Sequence, residues 1–174
     1  FERLGVRVLQ EEARFTGRTE LQAGPHRINS KRIVLATGSR PTLPPVPGLD
    51  SVPHFTNETI FANRILPSHL VVLGGGPIGL EMAQAFRRLG TKVTVLEAAT
   101  CLGKDDPELA AIVVARLRRE GVQLYERTRV TRIERTSDGI AAVLEGGGRI
   151  EGSHLLVATG RTPTIAGLDL DKAG

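Results

Sequence analysis

A single cysteine, Cys101, excludes an internal disulfide and any metal centre built from several thiolates. Tryptophan is absent, and one tyrosine and five phenylalanines are the only aromatics. There is therefore little with which to stack nucleic-acid bases. The core must come from Val, Leu, Ile and Ala, a composition that suits a buried parallel sheet. The net charge of +4 rests mostly on arginines scattered along the sequence, which reads as solvated surface and not as a nucleic-acid face. No apolar run approaches membrane-spanning length, and the first residues do not read as a signal peptide. A soluble cytoplasmic protein without nucleic-acid or membrane partners is expected. The four histidines stand apart without ligand spacing, so no metal site is expected.

What is present is concentrated between Leu70 and Glu97, LVVLGGGPIGLEMAQAFRRLGTKVTVLE. An apolar run, a glycine turn, a helical pattern to Leu89, a stop at Gly90, a second apolar run and an acid follow one another. This is the strand, turn, helix, strand order of a dinucleotide-binding unit. Gly74 permits the tight turn, Gly76 leaves room for backbone to approach a pyrophosphate, and Gly79 lets the helix lie close to the sheet. Gly75 lies between them, Pro77 suits a first helical turn, and the unpaired amides there suit a diphosphate. Ile78, Met82, Ala85, Phe86 and Leu89 recur at helical spacing and are expected to face the sheet. Glu97 falls at the end of the second strand, where a carboxylate can accept hydrogen bonds from both ribose hydroxyls. A methyltransferase also uses a glycine turn and a later acid, and a stand-alone regulatory nucleotide-binding module is a further alternative.

The remainder divides around this unit. Val6–Leu9, Ala13–Phe15, Thr19–Gln22, His26–Ile28 and Arg32–Ala36 read as strands. Residues 39–49 carry four of the ten prolines and read as a stiff boundary. Asn57 to Ala62 reads as a short helix capped by Asn57. Asp105-Asp106-Pro107-Glu108 starts a helix whose expected buried face is Leu109, Ile112, Val113 and Leu117. A third parallel strand at Val122–Tyr125 precedes an antiparallel meander whose triple glycine, residues 146–148, is a hairpin turn and not a phosphate loop. His154 to Pro163, HLLVATGRTP, then repeats the pattern of Arg32 to Pro41, RIVLATGSRP. Two such copies imply that the nucleotide unit is inserted into another domain. The expected fold class is α/β, with a Rossmann-like domain at 47–150 flanked by β-rich pieces at 1–46 and 151–174.

With ATGSRP, the proline-rich link ending PGL, LVVLGGGPIGLEMAQAF, VTVLE, the DPEL helix start and LLVATGRTP, the sequence resembles the pyridine nucleotide-disulfide oxidoreductases. These are flavoproteins with two dinucleotide folds, and the likeness is to the dihydrolipoamide dehydrogenase and mercuric reductase branch. The resemblance implies FAD near Ala13, Thr37, Gly38 and Ser39 in a full-length parent. It implies NAD on Gly74, Gly75, Gly76, Pro77, Ile78, Gly79 and Glu81, with Glu97 on the adenine ribose and the backbone of Val130 and Gly160 completing the pocket. Glu81 would lie near the nicotinamide, facing the flavin.

The family's first glycine motif, its cysteine pair, its Gly-Asp motif and its interface domain are absent from the sequence, so a fragment without catalytic residues is expected. Its partners would be the remaining FAD and interface domains of a homodimeric parent that passes hydride to FAD and on to a disulfide or metal-ion type acceptor. Pro77 stands where several relatives carry a gating tyrosine. NADH is expected over NADPH, because Glu97 would repel a 2′-phosphate and no basic residue lies between it and Gly103.

Overall fold

The computed structural model describes residues 1–174 and resolves them into two compact units, one of residues 1–40 and 163–174, the other of residues 41–162. The expected limits of 47–150 fall inside the second unit. It also takes in the prolines after residue 40 and the strand at His154–Val157, which is hydrogen-bonded into its sheet.

In the first unit, β1 (Ala13–Gly17), β2 (Glu20–Ala23) and β3 (His26–Asn29) form an antiparallel meander that buries Phe15 and Ala23. Strand β4 (Ser39–Pro41) follows. The strands expected at Val6–Leu9 and Arg32–Ala36 do not form. Neither segment has a neighbour to complete a ladder, and Val34 stands 89% exposed without an apolar face to meet.

The second unit begins with proline-rich chain and two 3-10 turns, Leu49–Ser51 and Ile60–Ala62, which each drive one side chain, Leu49 and Ile60, into the core. The turn at Ile60–Ala62 replaces the helix expected from Asn57: its N-cap is Thr59, whose hydroxyl takes the Thr56 N–H at 2.9 Å. Then come β5 (His69–Leu73), α1 (Pro77–Arg88), β6 (Lys92–Leu96), α2 (Pro107–Arg119) and β7 (Gln123–Tyr125). The meander of β8 (Val130–Thr136), β9 (Gly139–Leu144) and β10 (Arg149–Gly152) leads to β11 (His154–Val157) and β12 (Arg161–Pro163).

Four parallel strands lie in the order β11-β5-β6-β7. Helix α1 links β5 to β6 and α2 links β6 to β7. The meander then carries the chain back past β5 to β11, so a topological switch point falls between β5 and β11. The period of two along β5 sends Leu70 and Val72 to the helices and Val71 and Leu73 to the meander. Both faces are covered, which explains why the strands are apolar without alternation.

The buried faces of the helices match the expected ones in part: Met82 and Leu117 are buried and Phe86 packs against the core, but other expected positions are not buried. Helix α1 buries Gly79, Leu80, Met82 and Ala83, while Leu89 is 65% exposed. In α2 the buried side chains are Ala110, Val114 and Leu117, and Leu109, Ile112 and Val113 are exposed. Both helices carry apolar residues around a wide arc, and the short side chains let the backbone approach the sheet more closely than a face of Leu and Ile would. The start of α2 is as expected, with Asp106 Oδ1 accepting the Glu108 N–H at 2.9 Å. The triple glycine is a hairpin turn, with Gly146 and Gly147 at positive φ and the Leu144 N–H donating to the Gly148 carbonyl at 2.8 Å.

The ends of α1 and α2 are tied by Glu120. Its carboxylate accepts from Arg88 Nη2 at 2.8 Å, Arg116 Nε at 2.6 Å and Gln84 Nε2 at 3.2 Å, and its carbonyl accepts from Arg87 Nε at 2.9 Å. Hydrogen bonds from Arg88 and then Arg116 hold the carboxyl at about 2, down from an ordinary 4.5. A depressed folded-state value stabilises the fold above the unfolded value and loses that stabilisation as pH falls towards the folded one. Glu120→Gln should therefore lower the melting temperature at neutral pH. Its gap to wild type should close as pH is taken from about 5 towards 2. A gap unchanged over that range in thermal melts would contradict this role.

Candidate functional site

The site is built at the carboxyl ends of β5, β6 and β11. Past Leu73 the chain turns at Gly74 with φ +106, and a Cβ there would collide with the Ala158 carbonyl just beyond β11. A Cβ on Gly79 would collide with the Gly74 carbonyl and touch Ala158 Cβ at 3.4 Å, so α1 can begin this close only with glycine at both positions. Gly75 is closed in by Cys101 Sγ, 2.6 Å from where its Cβ would stand. Gly76 differs: its φ is −76 and nothing lies within 4 Å of an added Cβ. No packing or backbone requirement inside the protein calls for glycine there.

Gly76 is the N-cap of α1, Pro77 begins the helix, and no side chain caps it. The first-turn amides and the positive end of the helix dipole therefore face the open side of the turn. Glu97 stands beside it, half-buried at the end of β6. Its Oε2 accepts the Gly75 N–H at 2.7 Å and its Oε1 accepts the Ala99 N–H at 2.8 Å. Its own N–H and carbonyl are bonded to Tyr125 O and Thr128 N, each at 2.9 Å, so the carboxylate is fixed against the glycine turn from two directions.

A cleft of about 410 Å³ opens next to this carboxylate, lined by Gly74, Glu97, Thr128, Arg129, Val130 and Thr159, with Pro44 to Pro47 as the facing wall. Of the expected residues, Gly74, Glu97 and Val130 share the cleft, while Gly75, Gly76, Ile78 and Gly79 form the adjoining turn. Gly160 follows the cleft-lining Thr159, with its carbonyl bonded to the Thr42 N–H at 3.0 Å. Pro77 and Glu81 instead border a separate apolar cleft between α1 and α2, of about 500 Å³, with Leu102, Leu109 and Val113. The proline wall, Thr128, Arg129 and Thr159 were not anticipated. The prolines carried a signal only for stiffness, and Arg129 is too far from Glu97 in sequence for any local pattern to join them.

In the first unit, Ala13 lines a cleft of about 310 Å³ with Arg14, Gln22 and Gly24, and Thr37, Gly38 and Ser39 are not part of it. Arg161 is engaged within the second unit, donating to Asn57 Oδ1 at 3.0 Å and Glu58 Oε1 at 3.2 Å. Cys101 is 4% exposed, and burial, with the nearby carboxylates of Glu126 and Glu97, pushes its thiol up to about 11. It packs beneath the glycine turn as an apolar side chain.

The sequence pattern of the family described as pyridine nucleotide-disulphide oxidoreductase matches residues 1–174. A mercuric reductase from Streptomyces lividans is 38% identical over 154 residues, 87% of this chain and 32% of that protein. One from Acidithiobacillus ferrooxidans is 34% identical over 174 residues, covering 97% of this chain and 32% of its own length. Among solved structures, the HOCl-induced flavoprotein disulfide reductase RclA from Escherichia coli superposes with a TM-score of 0.81 at 32% identity, covering 97% of this chain and 39% of that one. LpdA from Mycobacterium tuberculosis gives a TM-score of 0.81 at 26% identity, over 99% of this chain and 40% of its own. The chain thus spans about a third of the length of these curated relatives.

Two outcomes follow from the glycine and thiol geometry. Gly76→Ala should leave the thermal melt of the ligand-free protein unchanged, whereas Gly79→Val should destabilise it by at least roughly 1 to 3 kcal/mol of overpacking. Equal melts for the two variants would show that the turn is not packed in this way. Cys101 should react with a disulfide reagent at pH 8 only after denaturant is added. Rapid labelling of the folded chain would place the thiol at the surface.

Proposed function

The chain belongs to the pyridine nucleotide-disulphide oxidoreductase family, an FAD-dependent group of oxidoreductases that use NAD(P)H, and from that premise we propose that residues 41–162 form its nicotinamide-dinucleotide site. The observation that carries this reading is Gly76. It is a glycine that neither the fold nor its φ requires, at the uncapped start of a twelve-residue helix, beside a fixed carboxylate and an open cleft. A Cβ at this position would occupy the space that a pyrophosphate needs.

The glycine turn and Glu97 have the chemistry that a dinucleotide requires. The amides of the first turn of α1 receive the pyrophosphate. Each Glu97 oxygen already accepts one backbone N–H and keeps further acceptor capacity for the hydroxyls of the adenosine ribose. The backbone of Val130 and the proline wall flank the adenine, and Gly160 closes the far side of the switch point. Pro77 and Glu81, which border the separate cleft between α1 and α2, are assigned to the nicotinamide end on the family resemblance alone. When bound, the nicotinamide supplies the hydride chemistry, and the chain's part is to hold and orient it and to keep water away.

In the full-length protein we assign the hydride to FAD and then to a disulfide or metal-ion type acceptor, in a homodimer. The support is the similarity to mercuric reductases and flavoprotein disulfide reductases. The methyltransferase reading has no such support, because the family match runs through all 174 residues.

Glu97 makes NADH the preferred dinucleotide, since a fixed carboxylate accepts hydrogen bonds from a free 2′-hydroxyl and repels a 2′-phosphate. Titration by nicotinamide fluorescence should show NADH binding about tenfold or more tighter than NADPH. Gly76→Ala should weaken NADH by about tenfold or more, roughly the 1.4 kcal/mol per decade of a lost close contact. Tighter binding of NADPH would overturn the preference, and undiminished NADH binding by Gly76→Ala would overturn the site.

A further inference from the structure

The cleft beside the glycine turn is lined by one acid, Glu97, and one base, Arg129. No ion pair joins them. Glu97 is committed to the amides of Gly75 and Ala99. The nearest charge to the Arg129 guanidinium is Glu145 at 4.0 Å, with both side chains 71% exposed. A pair this long and this exposed contributes little and leaves the arginine free to turn. The Arg129 backbone is anchored, however. Its carbonyl accepts the Glu145 N–H at 2.9 Å, and the N–H of the preceding residue, Thr128, donates to the Glu97 carbonyl at 2.9 Å. The root of a long cationic side chain is thus held one residue from the strand that carries the ribose-binding acid, on the wall of the same cleft.

Resting on the dinucleotide reading above, we propose that Arg129 is a second specificity-determining residue of this site: it offers a cationic contact to a phosphate on the adenosine 2′-oxygen, which partly offsets the repulsion by Glu97. The cleft is then a balanced device and not a plain NADH pocket. The carboxylate sets the preference by repulsion, and the guanidinium opposes it for a 2′-phosphate, most strongly where the carboxylate is replaced by an amide. The reading of residues 97–103 alone would give a pocket without a counter-charge. The backbone bond from Thr128 to the Glu97 carbonyl, which holds the segment before β8 beside the end of β6, supplies one.

The test compares wild type, Arg129→Ala, Glu97→Gln and the double variant, each titrated with NADH and with NADPH at low and at high salt on the 174-residue chain. Glu97→Gln should gain about tenfold or more in NADPH affinity. The double variant should lose most of that gain, and the gain should shrink as salt is raised. Arg129→Ala alone, an exposed change that removes no buried contact, should lower the NADPH-to-NADH affinity ratio by about threefold or more. If Glu97→Gln does not fold, the change in the NADPH-to-NADH ratio of Arg129→Ala decides the matter by itself. An NADPH gain that persists in the double variant, or a ratio unmoved by Arg129→Ala, would overturn the role of Arg129 while leaving the dinucleotide site intact. Wild-type protein that binds neither dinucleotide would instead sink the site reading and this inference with it.

Discussion

The structure of the central unit depends on one close approach. Where β5 ends, the backbone of Gly74 passes against the Ala158 carbonyl beyond β11, and the first turn of α1 lies against Gly74 through Gly79. With side chains at either position the helix would stand off from the sheet, and the first-turn amides would no longer converge on the switch point between β5 and β11. The same approach fixes the rest of the neighbourhood. Gly75 seats on Cys101 and gives its N–H to Glu97, which is held in turn by the extension of β6 alongside residues 125–128. The four glycines and the acid therefore make one arrangement, in which three glycines are required by protein packing and the fourth, Gly76, is not.

That division separates scaffold from function. A buried thiol, the buried Thr91 and Thr94 and two apolar layers pack the parallel sheet, and none of them needs a ligand to explain it. The open space at Gly76, the uncapped helix start and the spare acceptor capacity of Glu97 serve no folding purpose. Stability costs little at such positions, since an extended φ and a solvated helix start are ordinary. The site is thus a region of unspent bonding capacity set on a tightly packed frame, which is how binding geometry is held without movement of the frame.

Much of this could be read from the sequence, and the limits of that reading are physical. The strand-turn-helix-strand unit was legible because strand period, glycine spacing and the terminal acid are all local, and the Asp106 cap and the hairpin glycines were legible for the same reason. The buried faces of α1 and α2 were legible only in part, at Met82, Phe86 and Leu117, because apolar residues cover more than one face and the choice is made by the sheet they meet: Ala83 and Ala110 won over Leu89 and Leu109. Arg32–Ala36 has strand composition but no neighbour to pair with. The cleft was half legible. Glu97 and the glycines announce themselves in sequence, while Pro44 to Pro47 and Arg129 reach it only through the fold.

The central claim is that the turn after β5, with Glu97 and the facing wall, is where the dinucleotide sits. Backbone amide NMR on isotopically labelled protein titrated with NADH tests it most directly. Shifts should concentrate at Gly75, Gly76, Ile78, Gly79, Ala98, Thr128, Val130 and Thr159, with β1, β2, β3 and the opposite ends of β5 and β6, at His69 and Lys92, left in place. Shifts confined to the apolar cleft between α1 and α2, or to the first unit, with the glycine turn unmoved, would contradict the account.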